Sequence, residues 1–232
     1  MRFDLLERIK SVARGQIVKY ATDKEISIPT FRTTREMYAN VGIMDVSDQV
    51  LCPNVNCIIH MLQASHALRP IEDTMIGMLM GSMGYFDNQR YINAQVANTW
   101  LKSYYNSDIR FKARENLPPF KYDEVSSKFL HIPDKEYLQL VFDNVRYGMA
   151  LEMLNYKDIY NLLMKHGYLR SHLKDASLQA LVAKFSTRTD PEWERERKQK
   201  EAIISEIERC FLDRVRDEKL SFLVDDKDDG RA

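Results

Sequence analysis

The chain has 232 residues, of which 34 are Lys or Arg and 34 are Asp or Glu, with 44% hydrophobic and 29% charged residues. That balance excludes nucleic-acid coating by bulk charge, which wants a basic chain, and fits a globular protein with room for one large or two small domains. Three cysteines are too few and too odd in number for a disulfide framework, and 8 glycines with 7 prolines are sparse for an all-β fold.

Hydrophobic periodicity predicts helices along most of the chain. Leu5, Leu6, Ile9, Val12, Ala13 and Ile17 recur at helical spacing over 3–18, with a weak point at Gly15. Glu25-Ile26-Ser27-Ile28-Pro29 alternates, which predicts one short edge strand or extended segment. Thr34 is placed to cap a short helix carrying Met37, Tyr38 and Val41 that stops at Gly42. Pro53-Asn54 opens a strong helical pattern through Val55, Ile58, Ile59 and Leu62 that ends before Pro70. Residues 71–85 are almost uniformly apolar, the mark of a helix buried on most sides. A further helix follows over 88–105.

Residues 106–133, with Pro118, Pro119 and Pro133, form the least regular stretch and the expected boundary between two helical lobes. Beyond it, Pro133-Asp134 opens a helix through Val145, Tyr156–His166 forms another closed by Gly167, and Ser171–Phe185 a third. Asp190-Pro191 signals the start of a final helix reaching about 222, and 225–232 reads as an acidic, disordered tail. The expected architecture is therefore all-α: an N-terminal lobe over 1–105, the connecting segment 106–133, a C-terminal lobe over 134–186 and a helix over 187–224.

Four constellations stand out. Cys52, Cys57, His60 and His66 have metal-ligand residue types, but their spacing matches no zinc pattern and their neighbours are apolar, so neither a metal site nor a catalytic thiol is expected. Gly77 and Gly81, with Met78 between them, lie on one face of the apolar helix and would let another helix approach closely, from the same chain or from a second copy. Lys102, Tyr104, Tyr105, Arg110, Phe111, Lys112, Arg114 and Lys121 interleave cations with aromatic rings, the pattern that holds single-stranded nucleic acid. Lys165, Arg170 and Lys174 could add to the same groove. Ile204, Ile207 and Phe211 form an apolar seam on the final helix, free to dock on its own domain or on a neighbour.

HExxH, GxSxG, phosphate-loop, kinase and di-iron motifs are absent from the sequence, and no cofactor or metal is implied. The acidic tail lacks the final ligand of a calcium loop. The longest apolar run, Met75–Tyr85, is too short to span a bilayer, and Met1-Arg2-Phe3-Asp4 does not begin a signal peptide. The sequence thus points to a cytoplasmic or nuclear, non-secreted and non-enzymatic structural subunit. It would self-associate as a homo-oligomer or pack with protein partners into a larger assembly. The alternative is an RNA- or single-strand-binding nucleoprotein that lays the strand between two helical lobes, by analogy of architecture with viral nucleoproteins.

Overall fold

A computed structural model describes residues 2–115, 117, 120–123, 132–169 and 191–223. The described residues form nine α-helices and two short 3-10 turns, without a named strand. The chain divides into two compact units: residues 1–119 with 146–148, and residues 120–145 with 149–232. No described helix is long and apolar enough to cross a membrane.

In the first unit, α1 (Arg2–Val12) packs Ile9 into the core and ends before Gly15, whose N–H bonds the Val12 carbonyl. Gln16 and Ile17 then run extended into a 3-10 turn at Val18–Tyr20. Residues 16–18 are stitched to 69–71 by bonds from Val18 N to the Arg69 carbonyl and from Ile71 N to the Gln16 carbonyl. The expected strand at 25–29 is instead the start of α2 (Asp23–Asn40). Thr22 and Glu25 close a reciprocal capping box, which satisfies two orphan N–H groups and commits the backbone to helix. Pro29 lies inside α2 and forfeits only the bond its own N–H would have made. Five alternating residues are too few to outweigh that cap. Thr34 caps nothing; it is buried in mid-helix with its hydroxyl donating to the Thr30 carbonyl.

Helix α3 (Asp48–Ser65) starts a full turn before Pro53, which it contains. Helix α4 (Ile71–Ser82) is buried on nearly every side. Helix α5 (Ala94–Tyr105) is capped by Asn93, whose side chain accepts from Val96 N. Within the stretch expected to be irregular, Asp108–Arg114 forms α6, so the helical part of the first unit extends past residue 105.

The α4–α5 contact explains where the helix glycines are used. A β-carbon on Gly81 would lie 2.2 Å from Trp100, and one on Gly77 would lie 2.6 Å from Tyr104. Both rings are fully buried. The notch left by hydrogen in place of methyl is the space these two aromatics occupy.

The second unit contains α7 (Asp134–Arg146, its last residue in the first unit), α8 (Tyr156–Lys165) and the 25-residue α9 (Glu192–Arg216), which packs on α8, and an aromatic cluster joins α7 to α9. Phe142, Phe211 and Phe222 meet edge to face at 5.1–5.9 Å between ring centroids. Helix α9 stops at Arg216 rather than near 222, because the chain reverses at Glu218, which has positive φ, and returns Phe222 to the core. Gln139 accepts from Phe222 N at 2.6 Å, and Arg214 lies over the Phe222 ring.

Gly81→Ala should destabilise the protein by about 1–3 kcal/mol in urea unfolding, because Trp100 has no room to yield. A stabilisation of about 1 kcal/mol, the ordinary helix-propensity gain, would show that α5 does not fill the notch.

Candidate interaction surface

The basic–aromatic stretch does not form one surface. Its centre is turned inward by a buried carboxylate. Asp73, on α4, accepts from Arg110 Nε at 2.9 Å and pairs with Arg110 Nη2 at 2.8 Å, while the Tyr104 hydroxyl donates to its other oxygen at 2.5 Å. Arg110 is only 4% exposed, and its Nη1 has no acceptor among the described residues. Burial pushes the Asp73 carboxyl above the ordinary carboxylate value, against the pull of Arg110. The same burial, with the neighbouring carboxylate, pushes the Tyr104 phenol far up, so it stays a donor. Arg110 and Tyr104 are therefore corrected from strand-binding candidates to core residues.

Tyr105 completes this cluster. Its hydroxyl shares a 2.8 Å hydrogen bond with Thr74, His66 stacks on its ring, and Arg69 lies 4.5 Å from its centroid. Burial lowers the basicity of His66, opposed by its hydrogen bond to Asn98. Of this stretch, Lys102, Phe111, Lys112 and Arg114 remain on the first unit's surface. Lys121 is exposed but belongs to the second unit. Lys165, also there, is exposed and ion-paired to Asp134 at 2.5 Å. Arg170 and Lys174, like the helix expected at 171–185, lie outside the described residues.

The two expected self-association faces are filled by the chain itself. Gly77, Met78 and Gly81 are buried, with the glycine notch occupied by α5. Ile204, Ile207 and Phe211 are buried in the second unit's own core, where α9 packs on α8. Burial also pushes the Cys210 thiol on this seam up to about 11. Cys52, Cys57 and His60 are exposed while His66 is buried, so the four side chains do not share one environment. No group of three or more metal-ligand side chains gathers among the described residues.

Two surface features of the first unit were not expected from the sequence. The first is an apolar end. Asn40 Nδ2, at the close of α2, donates to Ser82 Oγ at the close of α4. Asn54 Nδ2 donates to the Ile92 carbonyl at 2.8 Å. These bonds bring the α2–α3 and α4–α5 linkers to one end of the unit. There Ile43, Met44, Val50, Met83, Tyr85 and Tyr91 are all exposed, Met44 to 76% and Met83 to 59%. The nearby acids Asp45 and Asp48 make no ion pair among the described residues. Linkers bounded by the positive-φ residues Gly42 and Gly84 yet rich in Met and Tyr were the available signal.

The second feature is a groove of about 870 Å³ framed by α1, α2, α4 and Tyr147. Val12, Ile28, Pro29, Ile71, Met75 and Leu79 contribute apolar lining, and Arg8, Lys24 and Arg32 are cations at its edge. Glu25, also in the lining, pairs with Arg146 at 3.1 Å; burial pushes its carboxyl up, but the hydrogen bonds from Thr22 and Gln16, with a smaller pull from Arg146, hold it below the ordinary value.

Arg110→Met should destabilise the protein by about 3–5 kcal/mol, since it strands a buried carboxylate. The double variant Asp73→Leu with Arg110→Met should recover part of that loss in chemical denaturation. A double-variant loss equal to the sum of the two single losses would show that the two groups are not coupled.

Comparison with protein-family models, curated proteins and solved structures returned no match.

Proposed function

We propose that this chain is a non-enzymatic α-helical assembly subunit that self-associates through the apolar end of its first unit. The observation that carries this reading is the concentration of six exposed apolar side chains at that end, five on the two linkers and Val50 in the first turn of α3. Isolated exposed apolar residues are ordinary, but a concentration of them on one surface is typical of protein-interaction sites. Met44 and Met83 are flexible thioethers and Tyr85 and Tyr91 amphipathic rings, side chains that adapt to and anchor interfaces. The glycine helix and the α9 seam are taken up internally, whereas these six side chains are exposed.

Met44→Glu with Met83→Glu should leave stability within about 0.5 kcal/mol, because both side chains are exposed. The same variant should lower the mass measured by light scattering at tens of micromolar toward the monomer. A wild-type chain that is strictly monomeric at that concentration overturns the reading.

A second reading, single-strand binding, is favoured by one observation: Phe111 is 59% exposed on α6 beside the exposed Lys112 and Arg114. A ring flanked by cations can stack a base and neutralise phosphate. Lys112→Glu with Arg114→Glu should then weaken binding of a labelled single-stranded RNA by at least about ten-fold and flatten its salt dependence. Unchanged affinity eliminates this reading.

A further inference from the structure

We infer that the surface receiving the apolar end is the groove of a second copy, so that subunits join head to tail. This rests on the self-association proposed above and names its mating surface.

The chemistry of the two surfaces is complementary. The apolar end carries Met44 at the tip of the 42–47 linker, with Asp45 and Asp48 beside it. No Lys or Arg occurs from residue 40 to 50. Across the other linker, residues 83–93, Asp87 and Arg90 offset each other, so the end as a whole is acidic. Asp87 is already engaged, accepting from Trp100 Nε1 at 2.6 Å.

The groove has the opposite character over an apolar floor. Arg8, Arg14, Lys24 and Arg32 line it against Glu25, Glu36 and Glu72. Arg146 neutralises Glu25, so Arg8, Lys24 and Arg32 outnumber Glu36 and Glu72 even without Arg14. Ile28, 51% exposed, stands on the α2 ridge between this groove and a smaller one of about 370 Å³. An unbranched Met side chain entering between Ile28 and Leu79 would bury apolar surface while its flanking aspartates meet Arg8 and Arg32. Such pairing of opposite potentials steers encounter and sets register.

The two surfaces share no residue; one lies along α2 and the other begins past its C-terminal end. The groove draws on Lys24–Glu36, and the apolar end begins beyond Asn40. A contact between different patches of identical subunits is heterologous. It leaves one free end and one free groove after each addition, and so builds a ring or an open filament rather than a closed dimer.

The test uses full-length protein with reversed charges. Asp45→Arg with Asp48→Arg gives a chain with a basic end and a basic groove. Arg8→Glu with Arg32→Glu gives a chain with an acidic end and an acidic groove. Each alone should associate at least about ten-fold more weakly than wild type in sedimentation equilibrium, because like charges then face each other. Mixed in equal amounts they should assemble again, since every end now meets a groove of opposite charge; recovery on mixing also shows that both chains are folded. If the groove variant associates as wild type does, or if mixing restores nothing, the groove is not the mate, while self-association through the apolar end still stands. A monomeric wild type overturns both.

Discussion

Tyr104 is held from two sides at once. Its ring lies in the notch that Gly77 leaves in α4, and its hydroxyl donates to Asp73 one turn earlier on the same helix. Asp73 in turn binds Arg110, which anchors α6. Close approach and charge pairing thus depend on each other. Without the glycines α5 could not come near enough for Tyr104 to reach the carboxylate, and without its hydrogen-bond partners that carboxylate could not remain buried. Trp100 repeats the arrangement at Gly81, with its ring in the notch and its indole N–H on Asp87.

This packing decides what is left for binding. A Gly-x3-Gly pattern flanked by methionines has the same appearance whether the approaching helix is the chain's own or a partner's. Here α5 takes the place, and the strongest apolar helix becomes the centre of the first unit. Several apolar side chains left without cover lie on the linkers, which the hydrogen bonds of Asn40 and Asn54 hold together at one end. An assembly role therefore passes from the helices that first suggest it to a surface made by chain reversals.

How legible each element was depended on how local its cause is. The helices at 71–85 and 156–166 follow from unbroken periodicity and from the glycine after the latter; both begin as expected, and end at Ser82 and Lys165. The helix at 23–40 was obscured because a short alternating run with a proline resembles an edge strand. The Thr22–Glu25 box, visible as residue types three apart, was the stronger signal. Arg110 could not be read correctly from its neighbours. Its local context is basic and aromatic, and its partner stands 37 residues away.

The sequence by itself determined the helical class, the scarcity of turns and the absence of an apolar span, since these depend on composition and on spacing within one or two turns. The tertiary structure alone decided which cations are solvated and which are locked in the core. It also decided that the glycine face is satisfied internally, that Phe222 returns to its unit's core, and that the linker methionines gather at one end. Each of those outcomes turns on contacts between residues distant in the chain, where burial and pairing are settled by which elements meet rather than by the character of any one segment.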